Sequence, residues 1–541
     1  MSEDRRLYEV IEEYFMRYLE INPIHATILG IHKFDSQMPR GDKEGIREQR
    51  KLVLDFRTAL SDIDRDKLSF ESRIDYDLAH NLIDLALFNL DELQLWKKYP
   101  FGGENIGDAI FPLFVRDFAP FTERFSSIVA RLEKSPRYLR ETMDCLEEPV
   151  EIYVDNALKS ITNLPLFLDV IYRAGIEQIS EDDPIITRAK HAIENLKSAL
   201  IEYENWLEDV KAESKKDFAI GYDKFKRLLE LRGIEYTPEE ILKIGEDYLN
   251  KFKAELKELA KKIVPDGDVN KAREVIESEH PKTFEEAINE YKNAIERAKQ
   301  FVAEKKLAPL PEGEVIKVVE TPAYLRAVIP FAAYFPPAPF EENKVGIYLV
   351  TPPVKTEHLR RHNYYSISNT TVHEAYPGHH LQLSWSATIR NIIRLMINAT
   401  EFIEGWAHYC EDMMKEHGYD ATDKHRFILL LDAIWRAARI IVDIKLSTGK
   451  MSFDEAIEFL VKETGMDREA AEAEVRRYTY TPGYQLSYLL GKHMISELRR
   501  EVREKLKDKY NEYKFHEIIL TSGGMPYKYL RKLVFARMGI Q

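Results

Sequence analysis

His373-Glu374-Ala375-Tyr376-Pro377-Gly378-His379-His380 is the stretch whose reading decides the rest of the chain. Two histidines four apart on one helix, with a glutamate after the first, would let both imidazoles bind one metal while the glutamate acts on a metal-activated water. Here the residue four after His373 is Pro377, and the next histidines lie six and seven positions on. In a regular helix a partner six residues on points about 120° away, and one seven on sits roughly 10 Å along the axis. Neither spacing lets two nitrogens come within about 2.1 Å of one zinc. Pro377 changes the geometry. Its ring clashes with the carbonyl four residues back and it donates no hydrogen bond, so the backbone must bulge, and Gly378 tolerates the dihedrals a bulge needs. Absorbing two extra residues brings His379 to the second-ligand position; bringing His380 there takes three. We expect a break in helical hydrogen bonding around Pro377, with His379 facing His373. A bland alternative is a turn with surface histidines.

Three protein ligands and an open position are usual at a catalytic zinc. Glu404 is the candidate third ligand, in Glu401-Phe402-Ile403-Glu404-Gly405-Trp406-Ala407-His408-Tyr409, a pattern that reads as a second helix. Its Glu-Gly-aromatic-Ala segment resembles the third-ligand segment of zinc peptidases with two histidines. Glu401 and His408 share its helical face at three and four residues, so both are candidates to orient a ligand by hydrogen bonding. A solvated helix face is the plainer reading of each.

These residues carry a family resemblance. His373–Gln382 followed by Glu404–Ala407 resembles the DUF885 family, which is widespread, largely uncharacterised, and similar to helical zinc carboxypeptidases and oligopeptidases. Asn22-Pro23-Ile24-His25-Ala26-Thr27 with Gly30, His32 and Asp35 resembles its N-terminal signature. Arg477-Tyr478, Pro482-Gly483, Tyr488 and Gly491 resemble its C-terminal one. Two positions depart: Tyr484 stands where a glutamine is expected, and His408 where an aliphatic residue is. The resemblance implies a fold and a reaction class, not a substrate.

Composition sets outer bounds. The 541 residues suffice for two or three ordinary domains or one large helical body. Hydrophobic content of 44% and charged content of 31% suit a globular protein. With 78 basic against 92 acidic residues the net charge is −14, which argues against nucleic acid as the main partner. Two cysteines, Cys145 and Cys410, make neither a disulfide framework nor a thiolate metal site. The charged opening Met1-Ser2-Glu3-Asp4-Arg5-Arg6 lacks the apolar core of a signal peptide, and no stretch approaches the roughly 20 apolar residues of a membrane span. The expectation is a cytoplasmic protein with no membrane partner.

Residues 1–306 read as a helical N-terminal region. Leu7, Val10, Ile11, Tyr14, Phe15 and Tyr18 form an amphipathic stripe. Thr237-Pro238-Glu239-Glu240 and Thr283-Phe284-Glu285-Glu286 read as helix starts. The texture changes at Leu307-Ala308-Pro309. Within the catalytic region 307–541, residues 314–351 read as a small antiparallel sheet, with strands at Val315–Val319, Val328–Ile329 and Val345–Val350. Such a strand could pair with an extended peptide, or only brace the site. Helices resume near 367, and the run from Phe427 to Ile441 reads as a buried core helix.

Arg476–Tyr488 is rich in phenols. A neutral phenol aimed at the oxyanion of amide hydrolysis stabilises it by about 3 kcal/mol. Tyr484 and Tyr488 would share one face of a helix begun at Pro482. In similar helical peptidases a C-terminal tyrosine does this job, and Tyr488 matches the family pattern. Arg477 could bind a substrate carboxylate in two-pronged fashion. The alternative is that these side chains are core.

The sequence thus predicts a mainly α fold, a large helical metallopeptidase-like body with a small antiparallel sheet just before the metal-binding helix. It predicts a zinc-dependent peptidase of carboxypeptidase or oligopeptidase type acting on peptides. His373, His379 and Glu404 bind the metal, Glu374 is the general base, Tyr488 assists, and Arg477 holds substrate. Two rivals stand beside it. A zinc amidase on a non-peptide substrate would need neither the sheet edge nor a carboxylate-binding arginine. A non-catalytic metal-binding protein would need no base at Glu374.

Overall fold

The computed structural model describes residues 2–540 apart from 322–325, 327–331 and 354, and no side chains at 356 and 357. The protein is mainly α-helical with one small sheet. No helix among the described residues is long and apolar enough to cross a membrane. Packing divides the chain into two units, the first built on Met1–Phe218 with Ala338–Asn343, the second from Ala219 onward.

In the first unit the opening stripe forms the helix Glu3–Ile21, which buries Leu7, Ile11, Tyr14, Phe15 and Leu19. The N-terminal signature proves to be an architectural block. Arg131 is fully buried and donates to the Thr27 hydroxyl at 2.7 Å and to the Pro23 carbonyl at 3.1 Å. Thr27 donates to Asp35 at 2.6 Å, and Asp35 also lies 2.8 Å from His32 Nδ1. A buried guanidinium needs such partners, since leaving it unpaired would cost several kcal/mol.

In the second unit, helix Pro238–Ile263 opens with a full capping box between Thr237 and Glu240. At Phe284–Glu304 only half a box forms: Thr283 caps Glu286, but the Glu286 carboxylate reaches Lys282 N–H instead. Ile241, Leu249, Phe252 and Leu256 pack with Phe427, Ile434, Ile440 and Ile441 of helix Asp423–Ser447, so the aliphatic run is core. Gly245 permits this close approach, because a Cβ there would lie 2.7 Å from Ile440. Helix Pro238–Ile263, before the change of texture at 307, thus packs with helix Asp423–Ser447 after it.

The sheet is mixed, not antiparallel. Its strands are β1 (Val315–Glu320), β2 (Ala332–Phe335) and β3 (Val345–Val350). The order is β1-β3-β2, with β3 parallel to β1 and antiparallel to β2. The most apolar strand, β3, is paired on both sides and buries Tyr348, Leu349 and Val350, whereas Val315 and Val319 of β1 are exposed. Apolar patterning identified the segments but carries no information on which neighbour runs which way. The strand expected at Val328–Ile329 lies outside the described residues.

Candidate metal centre

The His373 helix spans Tyr364–Glu374 and stops there. Ala375 and Tyr376 N–H both point at the Thr371 carbonyl, and Gly378 N–H reaches the Val372 carbonyl at 3.0 Å. The Tyr376–Pro377 peptide is cis. A new helix, His379–Ser386, then begins. The interruption is thus a tight turn between two helices, not a bulge within one. Gly378 is dictated by space, since a Cβ there would lie 1.8 Å from the His373 carbonyl oxygen. Trp406, on the Glu404 helix Thr400–Glu416, donates from Nε1 to the Pro377 carbonyl at 2.8 Å and so ties turn to helix.

This arrangement gathers His373, His379 and Glu404, whose ligand atoms all lie within 4.8 Å of one another. Glu404 Oε2 is 3.3 Å from His379 Nε2 and 3.8 Å from His373 Nε2. The two imidazole planes are perpendicular. Donors of a tetrahedral zinc at about 2.0–2.1 Å stand roughly 3.4 Å apart, so two imidazoles and a carboxylate at these separations fit zinc after small closure. The electrostatics point the same way. His373 is pushed up to about 9: burial works against its charge, and Glu404 and Glu411 outweigh burial. Burial would raise the Glu404 carboxyl, but His373 and His379 hold it well below its ordinary range. The cluster favours a positive charge at its centre. His380 does not join it; both its ring nitrogens face Glu314 and Tyr334.

The partner of His373 is one that sequence reasoning missed. Glu411 Oε1 lies 2.7 Å from His373 Nδ1 and accepts from Arg436 at 3.2 Å. A carboxylate behind a histidine fixes its tautomer and strengthens it as a ligand. Glu411 follows Glu404 by two helical turns, so the face was legible, though not which turn would meet His373. The nearer candidates do other work. Glu401 is buried and pairs with Arg232, which also donates to Gly483 O and, at 2.9 Å, to Ser487 Oγ. His408 is fully buried and held well below its ordinary range by burial and by the charges of Lys492 and Arg436.

Glu374, Tyr488, Tyr334 and Arg436 line a cavity of about 410 Å³ together with the three clustered residues. Tyr488 sits on helix Ser487–Leu506. Its phenol is raised above its ordinary value by burial and by Glu404, so it stays neutral, and the Arg439 guanidinium lies 4.8 Å from its ring centre. Asp443 holds the preceding turn by accepting from Gly483 N–H at 2.8 Å and Leu486 N–H at 3.1 Å. Tyr484, at the position that departs from the family, donates to Glu404 Oε1 at 3.2 Å. Arg477 does not line the cavity; it pairs with Glu474 at 2.8 Å, three residues back on its own helix. Arg436 is the arginine that faces the cluster. Asp432 lines both this cavity and a neighbouring one of about 720 Å³.

Comparison with known proteins follows the same extent of chain. The pattern of a family described as "Bacterial protein of unknown function (DUF885)" matches residues 23–534. The chain belongs to the DUF885 family. Two solved structures resemble this DUF885 protein over nearly its whole length. One is a putative lipoprotein of unknown function from Shewanella oneidensis, with a TM-score of 0.81 and 22% identity, covering 98% of this chain and 99% of that one. The other is a putative lipoprotein from Colwellia psychrerythraea, with a TM-score of 0.84 and 19% identity, covering both chains completely. At these identities the likeness establishes the DUF885 fold alone. No curated protein matches the chain.

Proposed function

We propose that this DUF885 protein is a zinc-dependent hydrolase of peptide bonds. The observation that carries the reading is the meeting of His373, His379 and Glu404 on a cavity that Glu374 and Tyr488 also line. Zinc held by those three residues would supply a Lewis acid for water and for the scissile carbonyl. Glu374 follows a ligand in sequence without being one, and as general base it takes the proton of the attacking water and returns it to the leaving amine. Tyr488, a neutral phenol, donates to the oxygen that gains charge. Glu411 and Tyr484 hold His373 and Glu404 in place from behind. A purely structural zinc is closed by four protein ligands and has no use for a base, which favours catalysis over a binding role.

A second cavity of about 720 Å³ shares Asp432 with the cavity of the cluster, and an extended substrate such as a peptide is the kind of ligand that would occupy both. Recognition of a free C-terminal carboxylate falls to Arg436 rather than Arg477, because only Arg436 lines the cavity.

Incubating zinc-loaded protein with a mixed peptide library and reading products by mass spectrometry tests the reading. Glu374→Gln should keep one zinc per chain and lose activity by roughly 10²–10⁴-fold. Absence of any peptide product, or a Glu374→Gln loss below about tenfold, would refute it. Amidated and free-acid peptides cut equally well would point to an endo-acting enzyme.

A further inference from the structure

Two asparagines belong to the helix that carries His373, and their carboxamides are spent differently. Asn363 caps the helix Tyr364–Glu374. Its Oδ1 accepts from Ser366 N–H at 2.9 Å, and its Nδ2 donates to the Arg360 carbonyl at 3.2 Å and to Ser366 Oγ at 2.9 Å. Asn369, inside the helix, is 3% exposed, yet neither its Oδ1 nor its Nδ2 has a partner among the described residues. Its neighbour Ser368, equally buried, does have one and donates to Asp420 at 2.6 Å. Asn369 lines the cavity of about 410 Å³ together with Glu374, Tyr488 and the three clustered residues. A carboxamide buried without hydrogen bonds is unfavourable, whereas an apolar side chain of the same shape carries no such penalty. The packing of the helix therefore does not account for an amide at 369, and the cavity it faces does.

Geometry narrows what the amide can bind. Asn369 precedes His373 by four residues, so the two share a helical face one turn apart, with Cβ atoms about 6 Å from each other. An extended chain advances about 3.3–3.6 Å per residue. A peptide whose scissile bond lies at the cluster thus brings a residue one or two positions away to Asn369. In an extended chain the N–H and C=O of one residue point to the same side, which lets residues of facing strands exchange two bonds. A carboxamide presents a donor and an acceptor side by side and matches that edge. Turning the amide over exchanges its two atoms but keeps one donor beside one acceptor. No ionisation state enters the match.

We propose that Asn369 is a substrate-binding residue, whose carboxamide pairs with the main-chain N–H and C=O of one residue of an extended peptide, one or two positions from the bond that is cut. The contact reads backbone and not side chain, so it sets the register of the peptide without selecting its sequence. The proposal rests on the peptide reading above and adds a requirement to it: one particular substrate residue outside the scissile bond must carry an N–H.

Penta-alanine and its analogues in which one peptide N–H at a time is replaced by an ester oxygen test this. Wild type and Asn369→Leu are compared for kcat/KM, counting cleavage at the amide bond that wild type cuts in the parent. Binding is measured by calorimetry for both in a zinc-loaded Glu374→Gln background, where nothing is cut. At one position away from the cut bond, the ester should lower both measures in wild type by roughly threefold to tenfold, the worth of one neutral hydrogen bond. Asn369→Leu should lower the parent peptide by roughly tenfold to a hundredfold, the worth of two, and lose nothing further on that ester. Zinc per chain should stay at the wild-type value, because no ligand is touched. The denaturant midpoint should hold or rise, because an apolar group replaces an unbonded amide. Full activity in Asn369→Leu, ester losses that are the same in both proteins, or a midpoint well below wild type would overturn the role of Asn369 while leaving a hydrolase. Binding with the coupled pattern but no cleavage by wild type would overturn the hydrolase and leave Asn369 a peptide-binding residue. No binding of any of these peptides would overturn both.

Discussion

Glu411→Gln gives the sharpest test of how the cluster is supported. Glu411 is fully buried against the Arg436 guanidinium and sits 2.7 Å from His373 Nδ1. Glutamine keeps the shape, and its carbonyl can still accept from the ring. The charge is what disappears. A hydrogen bond to a charged group contributes about 1.5–3 kcal/mol and a neutral one about 0.5–1.5 kcal/mol, so the ring loses roughly 1–2 kcal/mol of support. That loss falls on the metal-bound state, where the imidazole needs its electron density pushed toward Nε2. Zinc affinity should therefore fall by about fivefold to thirtyfold. Competition against a fluorescent chelator at fixed pH and salt measures it. Glu404→Gln, which removes a ligand, should fall much further, and Glu401→Gln should change affinity little, because Glu401 contacts Arg232 rather than the cluster. Wild-type affinity in Glu411→Gln would refute the argument. So would a Glu401→Gln loss as large as that of Glu411→Gln.

Three further outcomes follow from particular contacts. Gly491→Ala should destabilise the protein by about 1–3 kcal/mol or more by overpacking, since its Cβ would lie 2.0 Å from the Glu401 carbonyl oxygen; denaturant midpoints measure this, and an unchanged midpoint would show that the two helices part freely. Arg477→Ala should leave peptide hydrolysis within roughly twofold of wild type, because its guanidinium is held by Glu474 outside the cavity; a large loss specific to free-acid peptides would return it to the substrate site. His32 is raised to about 9, burial being outweighed by its bonds to Asp35 and Glu341. A raised folded pKa contributes stability that is full below the unfolded value of about 6.5 and is lost as pH rises through about 9. Thermal melting should therefore fall more steeply between those pH values in wild type than in His32→Gln, and parallel curves would refute the assignment.

The helical class, the core helix from Phe427, the cap at Thr237 and the break at Pro377 were legible because each rests on local rules: periodicity, capping and the stereochemistry of proline. The meeting of His373, His379 and Glu404 was legible because the expectation of a metal site constrains residue types and spacing together. Strand direction in the sheet was not, since apolar patterning is blind to it. Nor was Glu411, because the crossing of two helices, and not the spacing along one, decides which turn meets His373. Arg477 drew attention by charge and position, but a glutamate one helical turn away holds it. Tyr334 lay in an aromatic stretch between prolines with no periodicity to place it.

The doubled histidine at 379–380 has a physical meaning that a simple four-residue spacing would lack. On one continuous helix a second histidine would come from the same turn-related face, and its neighbour would point elsewhere without purpose. Ending one helix at Glu374 and starting another at His379 frees the second helix to take its own direction. Adjacent residues on it then diverge by about 100°. His379 turns to His373 and Glu404, while His380 turns to Glu314 and the β2 strand. The same break sets His373 in the last turn of a helix, where the negative end of the helix dipole favours a cation. The Glu404 helix closes the arrangement from the other side. Gly405 and Gly491 bring it against the Tyr488 helix backbone to backbone, a Cβ on Gly405 lying 2.5 Å from the Gly491 carbonyl carbon. Glycine at both positions lets Glu404 and Tyr488, one residue before Gly405 and three before Gly491, reach the same cavity. The two glycines and the turn remove steric obstacles, and the two histidines make the contacts that follow, so that three helices and a strand meet around a single point.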